Sequence, residues 1–316
     1  MHRRGEPVIE LATHSVSERV GYRLMPLLQE KQATLLFGHG DTGKSWLGIL
    51  AGVLVASGMP HAGLDPEPGN VLYLDYETDD DTIFERANMV SVGLNMALPS
   101  GFYYRYMSQL LAADVEALQK HVLEKEISLV VVDSAAPAVG EPESAQMTAD
   151  YFRALRSLKV TSLTIAHRAK MGKENEPFGS IFWRNLPRAN FLANGVHDPG
   201  VSSFIVGLKH TKSNNGQRLK DIGLELSFSG NAVYFNRADL RTIPEMAESV
   251  SLKGRIEVSL GMGAKTVKEL ADDLGTTPAT VRDKLNQYRD KAFIQLDSTS
   301  REAKWGLLAG EDYEQA

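Results

Sequence analysis

The sequence has 316 residues, 43% of them hydrophobic and 23% charged, with a formal net charge of −6. This composition is typical of a soluble globular protein with more than one domain. The absence of cysteine excludes disulfides, thiolate zinc sites and cysteine nucleophiles. No apolar run is long enough to span a bilayer or is placed like a secretory signal, so we expect a cytoplasmic protein without a membrane partner.

Charge is distributed unevenly along the chain. Residues 151–220 contain 12 Lys and Arg against 3 Asp and Glu, a net charge of +9, so the remaining residues carry −15. Such polarity predicts a surface that faces phosphate groups, although a solvated basic face or a subunit interface would have the same composition.

Buried strands alternate with helices along the first two-thirds of the chain. Apolar runs predict strands over 33–37, 70–76, 127–133 and 161–167, and helical periodicity predicts helices from residue 44, from the acids at 78–81, over 113–125 and over 148–158. This alternation predicts an α/β fold with a central, mostly parallel sheet covered by helices on both faces. After Ser203, short apolar runs separated by turns predict an antiparallel extension of the sheet.

The end of the chain differs in character. A polar segment containing Pro244 predicts a linker over 242–252 between a first domain (1–241) and a second (253–316). In the second domain, a helix from Thr266, a turn around Gly275 and a helix capped by Thr277 predict a helix-turn-helix, followed by a two-stranded wing. This pattern resembles winged-helix domains, which bind either DNA or protein. Arg282 and Lys284 on the second helix are the candidate DNA contacts.

Residues 38–45, GHGDTGKS, match the phosphate-loop pattern G-x-x-x-x-G-K-[ST] between a predicted strand and a predicted helix. In such a loop the backbone N–H groups bind phosphate oxygens, the lysine contacts the β- and γ-phosphates, and the final hydroxyl coordinates Mg²⁺. We therefore predict a nucleoside triphosphate site. Its candidate nucleotide-binding residues are Gly38, Gly40, Asp41, Thr42, Gly43, Lys44, Ser45 and Trp46.

Two other strand ends carry acids. Asp133 ends an apolar strand in the Walker B form, so we predict that it holds Mg²⁺ through water together with Ser45. No acid follows Asp133 directly, which argues against the AAA+ type of enzyme. Asp75 and Glu77 end the preceding strand, and either could orient the attacking water or cap the next helix, for which Thr78 and residues 79–81 are better placed.

The ordered set of segments resembles the RecA-like ATPase core, most closely that of the RepA-type hexameric replicative helicases of plasmids and phages, which are related to the DnaB-type helicases. The matching segments are the phosphate loop, YLDYE, SLVVVDS, LTIAHRAK, PFGSIFWRNLPR and LKHTKSNNG, between about Tyr22 and Phe235. The resemblance implies that Glu77 activates water, that Arg86 lies against the adenine, and that His167 links the γ-phosphate to the following loop.

The same resemblance implies a DNA-facing loop over 168–180 and a cation that acts in a neighbouring subunit. The implied DNA contacts are Arg168, Lys170, Lys173 and Arg184. Lys212, and after it Lys209, would reach the neighbouring active site, where a cation stabilises transition-state charge. Related helicases often have an arginine two residues after this lysine, whereas this chain has Asn214.

Together these features imply an ATP- and Mg²⁺-dependent translocase or helicase on single-stranded DNA. It would act in replication or recombination as a homo-oligomer, either a hexameric ring or a helical filament. Two alternatives share nearly all the same residues: a RecA-like strand-exchange recombinase or recombination mediator, and a DNA-binding regulator whose assembly is switched by ATP.

Overall fold

A nine-stranded sheet forms the centre of the larger part of the molecule. The structure, a computed structural model, describes residues 21–169, 176–197, 200–240, 252–296 and 303–308. The strands up to residue 240 are β1 (Tyr22–Met25), β2 (Leu28–Gln29), β3 (Ala33–Gly38), β4 (Asp65–Pro66), β5 (Asn70–Asp75), β6 (Phe102–Tyr106), β7 (Ile127–Asp133), β8 (Thr161–His167), β9 (Ala189–His197), β10 (Ser203–Ser213), β11 (Ile222–Ser229) and β12 (Ala232–Ala238). The helices are α1 (Lys44–Ser57), α2 (Asp80–Gly93), α3 (Val115–Glu124), α4 (Ala135–Val139), α5 (Ala145–Ser157) and α6 (Phe182–Asn185).

The strand order in the large sheet is β12-β11-β10-β9-β3-β8-β7-β5-β6. The strands from β9 to β6 run parallel, and β10, β11 and β12 extend the sheet in antiparallel fashion. The predictions of an α/β fold, a mostly parallel sheet and an antiparallel extension after Ser203 are confirmed. The small β1, β2 and β4 form a separate three-stranded sheet.

Helices cover both faces of the sheet and enclose two hydrophobic cores. Along β7, Leu129 and Val131 belong to the core under α1 and α2, whereas Val130 and Val132 belong to the core under α3, α4 and α5. Successive side chains of a strand point to opposite faces, so a strand buried on both sides needs the uninterrupted apolar run that the sequence shows. No helix in the described ranges is long and apolar enough to cross a bilayer.

Helix α2 packs against both edge strands of the large sheet, β12 and β6. Asp79 caps it, because its carboxylate accepts a hydrogen bond from the Thr82 N–H at 2.8 Å, which confirms the predicted capping role of these acids. Its last residue, Gly93, packs against β12 so closely that a Cβ there would lie 1.9 Å from the Val233 carbonyl oxygen. Glycine at this position therefore sets the distance between α2 and β12.

A third, separate hydrophobic core is formed by residues 252–308. It contains helices Leu252–Gly261, Val267–Asp273 and Pro278–Gln287 and the strands Lys265–Thr266, Phe293–Leu296 and Lys304–Leu307. The two helices of the predicted helix-turn-helix are present, with Thr266 and Thr277 as caps and Gly275 in the turn at φ 59°. The first helix was not predicted, and it begins at Leu252, inside the predicted linker. Residues 242–251 lie outside the described part of the chain.

We expect Gly93→Ala to destabilise the larger core, which is the one under α1 and α2. The added methyl group would clash with the Val233 backbone carbonyl, which cannot rotate away. Overpacking of this kind costs about 1–3 kcal/mol. Urea unfolding of the larger core measures the loss. Gly261→Ala is the matched control, since a Cβ at Gly261 meets nothing within 4 Å. Equal unfolding midpoints for the two variants would contradict the close approach of α2 and β12.

Candidate active site

The sheet order brings the predicted site residues to one edge. β3 and β8 are neighbours with Gly38 opposite His167, and β5 and β7 are neighbours with Asp75 opposite Asp133. Because these strands run parallel and β8 pairs with β7, all four carboxyl ends lie at the same edge of the sheet. The phosphate loop leaves from β3 at that edge and leads into α1.

Gly43 ends the phosphate loop in a left-handed conformation, with φ 74° and ψ 13°, and acts as the N-cap of α1. A Cβ there would also lie 2.9 Å from the Phe204 ring, so both the backbone angle and the space favour glycine. The loop is fixed internally by the Thr42 hydroxyl, which donates to the His39 carbonyl at 2.9 Å. This arrangement presents the first N–H groups of a 14-residue helix to a bound anion.

Lys44 lies inside this loop and is buried. Its ammonium group donates to the His39 carbonyl and, at 3.2 Å, to the Thr42 hydroxyl. Burial lowers the pKa of Lys44, and the carboxylates of Asp133, Glu77 and Asp41 act in the opposite direction. The lysine is therefore surrounded by the acids that the sequence assigned to the same site.

Asp133 is the most enclosed acid of the site, with a relative exposure of 5%. It accepts a hydrogen bond from the Tyr73 hydroxyl at 2.7 Å, and the Ser45 hydroxyl lies near the same carboxylate. Burial raises the pKa of Asp133, and the nearby carboxylates of Glu77 and Asp75 raise it further, whereas the Tyr73 and Ser45 hydroxyls lower it. A buried acid next to the Ser45 hydroxyl is a suitable donor set for Mg²⁺, which prefers a few carboxylate and hydroxyl oxygens beside the phosphates.

Glu77 and Asp75, the two candidates for the residue that orients the attacking water, differ in exposure and in hydrogen bonding. Asp75 is 1% exposed, and its oxygens accept from the Glu77 N–H at 3.0 Å, the Thr78 N–H at 3.2 Å and the Thr78 hydroxyl at 2.6 Å. It shapes the turn after β5 and has no face open to a water. Glu77 is exposed, and its carboxylate accepts a hydrogen bond from the Ser134 hydroxyl. Glu77 is therefore the better placed candidate base, and its role stays a prediction.

An aromatic group borders the loop on the other side of α1. The Arg86 guanidinium lies over the Trp46 ring at 5.6 Å, and the Trp46 ring meets the Phe228 ring edge-on at 5.3 Å. Phe204 stacks on Phe228 at 5.9 Å and contacts Gly43. Flat apolar and cationic surfaces of this kind suit a stacked base, so the assignment of Arg86 and Trp46 to the nucleotide remains a coherent hypothesis.

His167 lies between the phosphate loop and the loop that follows β8. Its side chain is exposed, and its carbonyl accepts from the Phe178 N–H at 2.9 Å. The next N–H, of Arg168, donates to the Gly38 carbonyl at 3.0 Å, and the Ala169 N–H donates to the Glu176 carbonyl at 3.0 Å. The base of the 168–180 loop is therefore hydrogen-bonded directly to the strand that carries the phosphate loop.

A family model described as AAA domain matches residues 8–173, just over half of the chain. The chain belongs to this AAA domain family. No curated protein matches the sequence. The family is one of nucleotide-dependent ATPases, which agrees with the phosphate loop and the α/β sheet. Its description departs from our expectation that Ser134, in place of an acid, argues against the AAA+ type. In this AAA domain the acid bound to position 134 is Glu77.

Lys212 lies far from the phosphate loop of its own AAA domain. Ser213 pairs with Ala189, which pairs with Thr34 at the start of β3, whereas the phosphate loop follows Gly38 at the other end. Four strand residues separate the two levels by about 13 Å. The Lys212 ammonium donates to the carbonyls of Asn185 at 2.6 Å and Pro187 at 2.5 Å. Lys212 therefore has no access to the nucleotide site of its own chain.

The remaining candidate cations are divided between several places. Lys209 pairs with Leu192 on β9 and lies near the carboxylate of Asp221. Arg184 forms an ion pair with Glu176 at 2.6 Å. Arg168 begins the loop base, and Lys170 and Lys173 lie outside the described residues. The structure thus brings Arg168 to the site but does not gather the predicted DNA contacts into one described patch.

The two candidate DNA contacts on the helix Pro278–Gln287, Arg282 and Lys284, lie in different surroundings. Residues two apart on a helix point about 200° apart. Arg282 lines a groove with Lys268, Asn286 and Gln295. Lys284 instead donates to Gln287 at 2.8 Å and lies over the Tyr288 ring. The prediction that Arg282 and Lys284 contact DNA stays a prediction, and the structure places the two side chains in different surroundings.

Sequence reasoning missed Tyr73, Ser134 and the aromatic pair Phe204 and Phe228. Tyr73 precedes Asp75 by two residues in a run that only predicts a buried strand, and its partner Asp133 is 60 residues away. Only the adjacency of β5 and β7 brings them together. Ser134 could have been singled out, since it directly follows the Walker B aspartate.

Tyr73→Phe should weaken Mg²⁺ binding while keeping the ring in place. Removing the hydroxyl leaves the buried Asp133 carboxylate with one donor fewer, and such a loss costs about 1–3 kcal/mol. The pKa of Asp133, already raised, should rise further, so protonation competes better with the metal as the pH falls. We expect the Mg²⁺ concentration for half-maximal ATPase activity to increase several-fold, and more so at acidic pH.

Tyr151→Phe is the control, because Tyr151 is equally buried and bonded to Thr164 at 2.8 Å in the opposite core. Both variants should lose stability, and only Tyr73→Phe should change the Mg²⁺ requirement. An identical Mg²⁺ titration for the two would show that Tyr73 does not position Asp133.

Proposed function

We propose that this AAA domain protein is an oligomeric ATPase that moves along single-stranded DNA, with ATP bound between adjacent copies. The observation that carries the proposal is the hydrogen bonding at the base of the 168–180 loop: the Arg168 N–H donates to Gly38 at the end of the phosphate-loop strand, and the Phe178 N–H donates to His167 at the end of the neighbouring β8. Loss of the γ-phosphate would change the contacts of His167 and thereby the conformation of this loop. The loop contains Arg168, Lys170 and Lys173, which suit contacts to a phosphate backbone.

The proposed chemistry is hydrolysis of the γ-phosphate. Glu77, held by Ser134, orients a water and accepts its proton while the water oxygen bonds to the γ-phosphorus and the bond to the bridging oxygen of ADP breaks. Lys44 neutralises charge on the β- and γ-phosphate oxygens. Ser45 and Asp133 would hold Mg²⁺, which when bound supplies charge between these phosphates.

The proposed oligomer is supported by the exposure of the site to solvent on the side of Glu77. Glu77 is exposed, so in a single copy the attacking water is open to solvent, which weakens electrostatic stabilisation. Lys212 cannot reach its own nucleotide, yet it sits at a sheet end that a second copy could present. A neighbouring copy that covers the site with Lys212 would both exclude water and add a cation.

A DNA-binding regulator remains the second candidate, supported by the groove next to the helix Pro278–Gln287. The groove is lined by Lys268 and Arg282 without an acidic residue among its described walls. Placed between a helix and the strands that follow it, as in winged-helix domains, it would fit a DNA strand. In this function the AAA domain would switch assembly, and a sequence-specific footprint without unwinding would favour it over translocation.

We expect Glu77→Gln to abolish DNA-stimulated ATP hydrolysis while ATP binding persists, because glutamine keeps the shape but cannot accept a proton. Lys212→Ala should also lower the rate, by about 10²-fold or more for a lost transition-state cation. Steady-state ATPase assays with and without single-stranded DNA measure both effects. An equal wild-type rate with and without DNA, in conditions where copies associate, would contradict the proposal.

Mixing the two inactive variants tests whether the site is shared. We call the contact between two adjacent copies, where ATP would bind, a seam. In a mixed oligomer, some seams combine an intact Glu77 from one copy with an intact Lys212 from another. We expect up to about a quarter of the wild-type activity to return, since both halves are chosen at random at each head-to-tail seam. No recovery in mixtures that do co-assemble would place both residues in one copy.

Arg282→Ala should weaken DNA binding through the groove. The slope of log affinity against log salt concentration should fall by about 1, the contribution of one phosphate contact. Fluorescence anisotropy with labelled single-stranded and duplex DNA at several salt concentrations measures this. Lys284→Ala is the control, because Lys284 lies on another face of the same helix and contacts Tyr288. Equal losses for the two variants would argue against the groove as the DNA site.

A further inference from the structure

Three cations meet at the end of the sheet opposite the phosphate loop. We call Arg184, Arg188 and Lys212 the basic cluster. The Lys212 ammonium is held by the Asn185 and Pro187 carbonyls, and the Asn214 N–H donates to the Arg188 carbonyl at 3.0 Å. The end of β10 and the segment 184–188 are therefore fastened side by side.

The charges of this cluster are not balanced locally. Arg184 is paired with Glu176, but Arg188 is exposed and forms no ion pair with any acid in the described ranges. Lys212 is affected by both arginines: burial lowers its pKa most, and the neighbouring guanidinium groups of Arg188 and Arg184 lower it further. Like charges held together in this way repel one another, and an anion bound between them would relieve the repulsion.

The backbone of Arg188 is fixed on both sides, so its side chain is presented from a rigid base. Its N–H donates to the Ala33 carbonyl at 2.8 Å at the start of β3, and its carbonyl accepts from Asn214. The planar guanidinium can bind two phosphate oxygens at once, while Lys212 acts as a single positive charge. The two groups are thus complementary donors for one phosphate.

We propose that Arg188 and Lys212 form a phosphate-binding pair, and that in the assembly this pair contacts the γ-phosphate of ATP bound to the neighbouring copy. The inference rests on the proposed function, since it needs ATP at a seam between copies. Asn214 carries no charge, whereas Arg188, from the neighbouring segment, is a second cation near Lys212. The other source of the same chemistry is the backbone of a nucleic acid.

The test compares Arg188→Ala, Arg188→Lys and the control Arg156→Ala in the full chain. Arg156 is an exposed arginine of α5 without an assigned role. We expect ATP hydrolysis to fall by about 10- to 100-fold in Arg188→Ala, with partial recovery in Arg188→Lys because a single charge remains. Arg156→Ala should hydrolyse ATP like the wild type, and thermal unfolding should show that all three variants are folded.

Mixing separates the two phosphate sources. If Arg188 acts on a neighbour's ATP, a mixture of Arg188→Ala with Glu77→Gln regains activity, as the mixture of Lys212→Ala with Glu77→Gln does. If Arg188 contacts the DNA backbone instead, Arg188→Ala lowers DNA affinity in anisotropy assays and leaves DNA-independent hydrolysis unchanged, which would overturn the neighbour's γ-phosphate as the ligand. Wild-type behaviour of Arg188→Ala in both assays would overturn the pair altogether.

Failure of this inference can be told apart from failure of the proposed function. If the Lys212→Ala mixture recovers but the mixture with an inactive Arg188→Ala does not, the shared site stands and Arg188 does not act on the neighbour's ATP. If neither mixture recovers although the copies associate, ATP is not bound at a seam, and both proposals fail together.

Discussion

The burial of the Asp133 carboxylate is the constraint on which the site depends. A charged group with 5% exposure is costly unless donors surround it, and Tyr73, Ser45 and Lys44 supply that compensation. The compensating groups come from two elements: Tyr73 from β5, and Ser45 and Lys44 from the first turn of α1. The buried carboxylate of Asp133 therefore exists in this form only when β5 and the first turn of α1 are both in place around the end of β7.

The same dependence fixes Glu77. Asp75 is buried next to Asp133 and uses its oxygens to bind the turn that follows, which directs Glu77 outward to Ser134 at the end of β7. The proposed base is thus positioned by two neighbouring strands and not by the helix that follows it, whose cap is Asp79. On the other side, His167 is level with Gly38, so the triphosphate and the loop after β8 share one strand end.

The sequence predicted the elements that a local pattern of residues identifies. It missed the strand and the contacts that depend on how distant parts of the chain come together. Apolar runs located β3, β5, β7 and β8, and the phosphate loop identified its own residues. β9 was missed because Asn190, Asn194 and Gly195 interrupt its apolar pattern, although it lies in the middle of the sheet. The Tyr73–Asp133 bond joins residues far apart in the chain. Similarly, Arg282 and Lys284 have the same chemistry in sequence, and only the helical turn separates their surroundings.

The distribution of charge over the AAA domain favours one kind of association. Near the nucleotide site, α2 begins with the exposed acids at 79–81 and continues to the exposed Glu85. The opposite sheet end carries Arg188 and Lys212. Two copies that met through identical surfaces would place like charges together, whereas a head-to-tail contact pairs the acidic side of one copy with the basic side of the next. Such a contact is heterologous, and it closes into a ring or continues as a helix according to the rotation between copies. In the proposed assembly every nucleotide would lie between two copies, so each hydrolysis event would act on both of them.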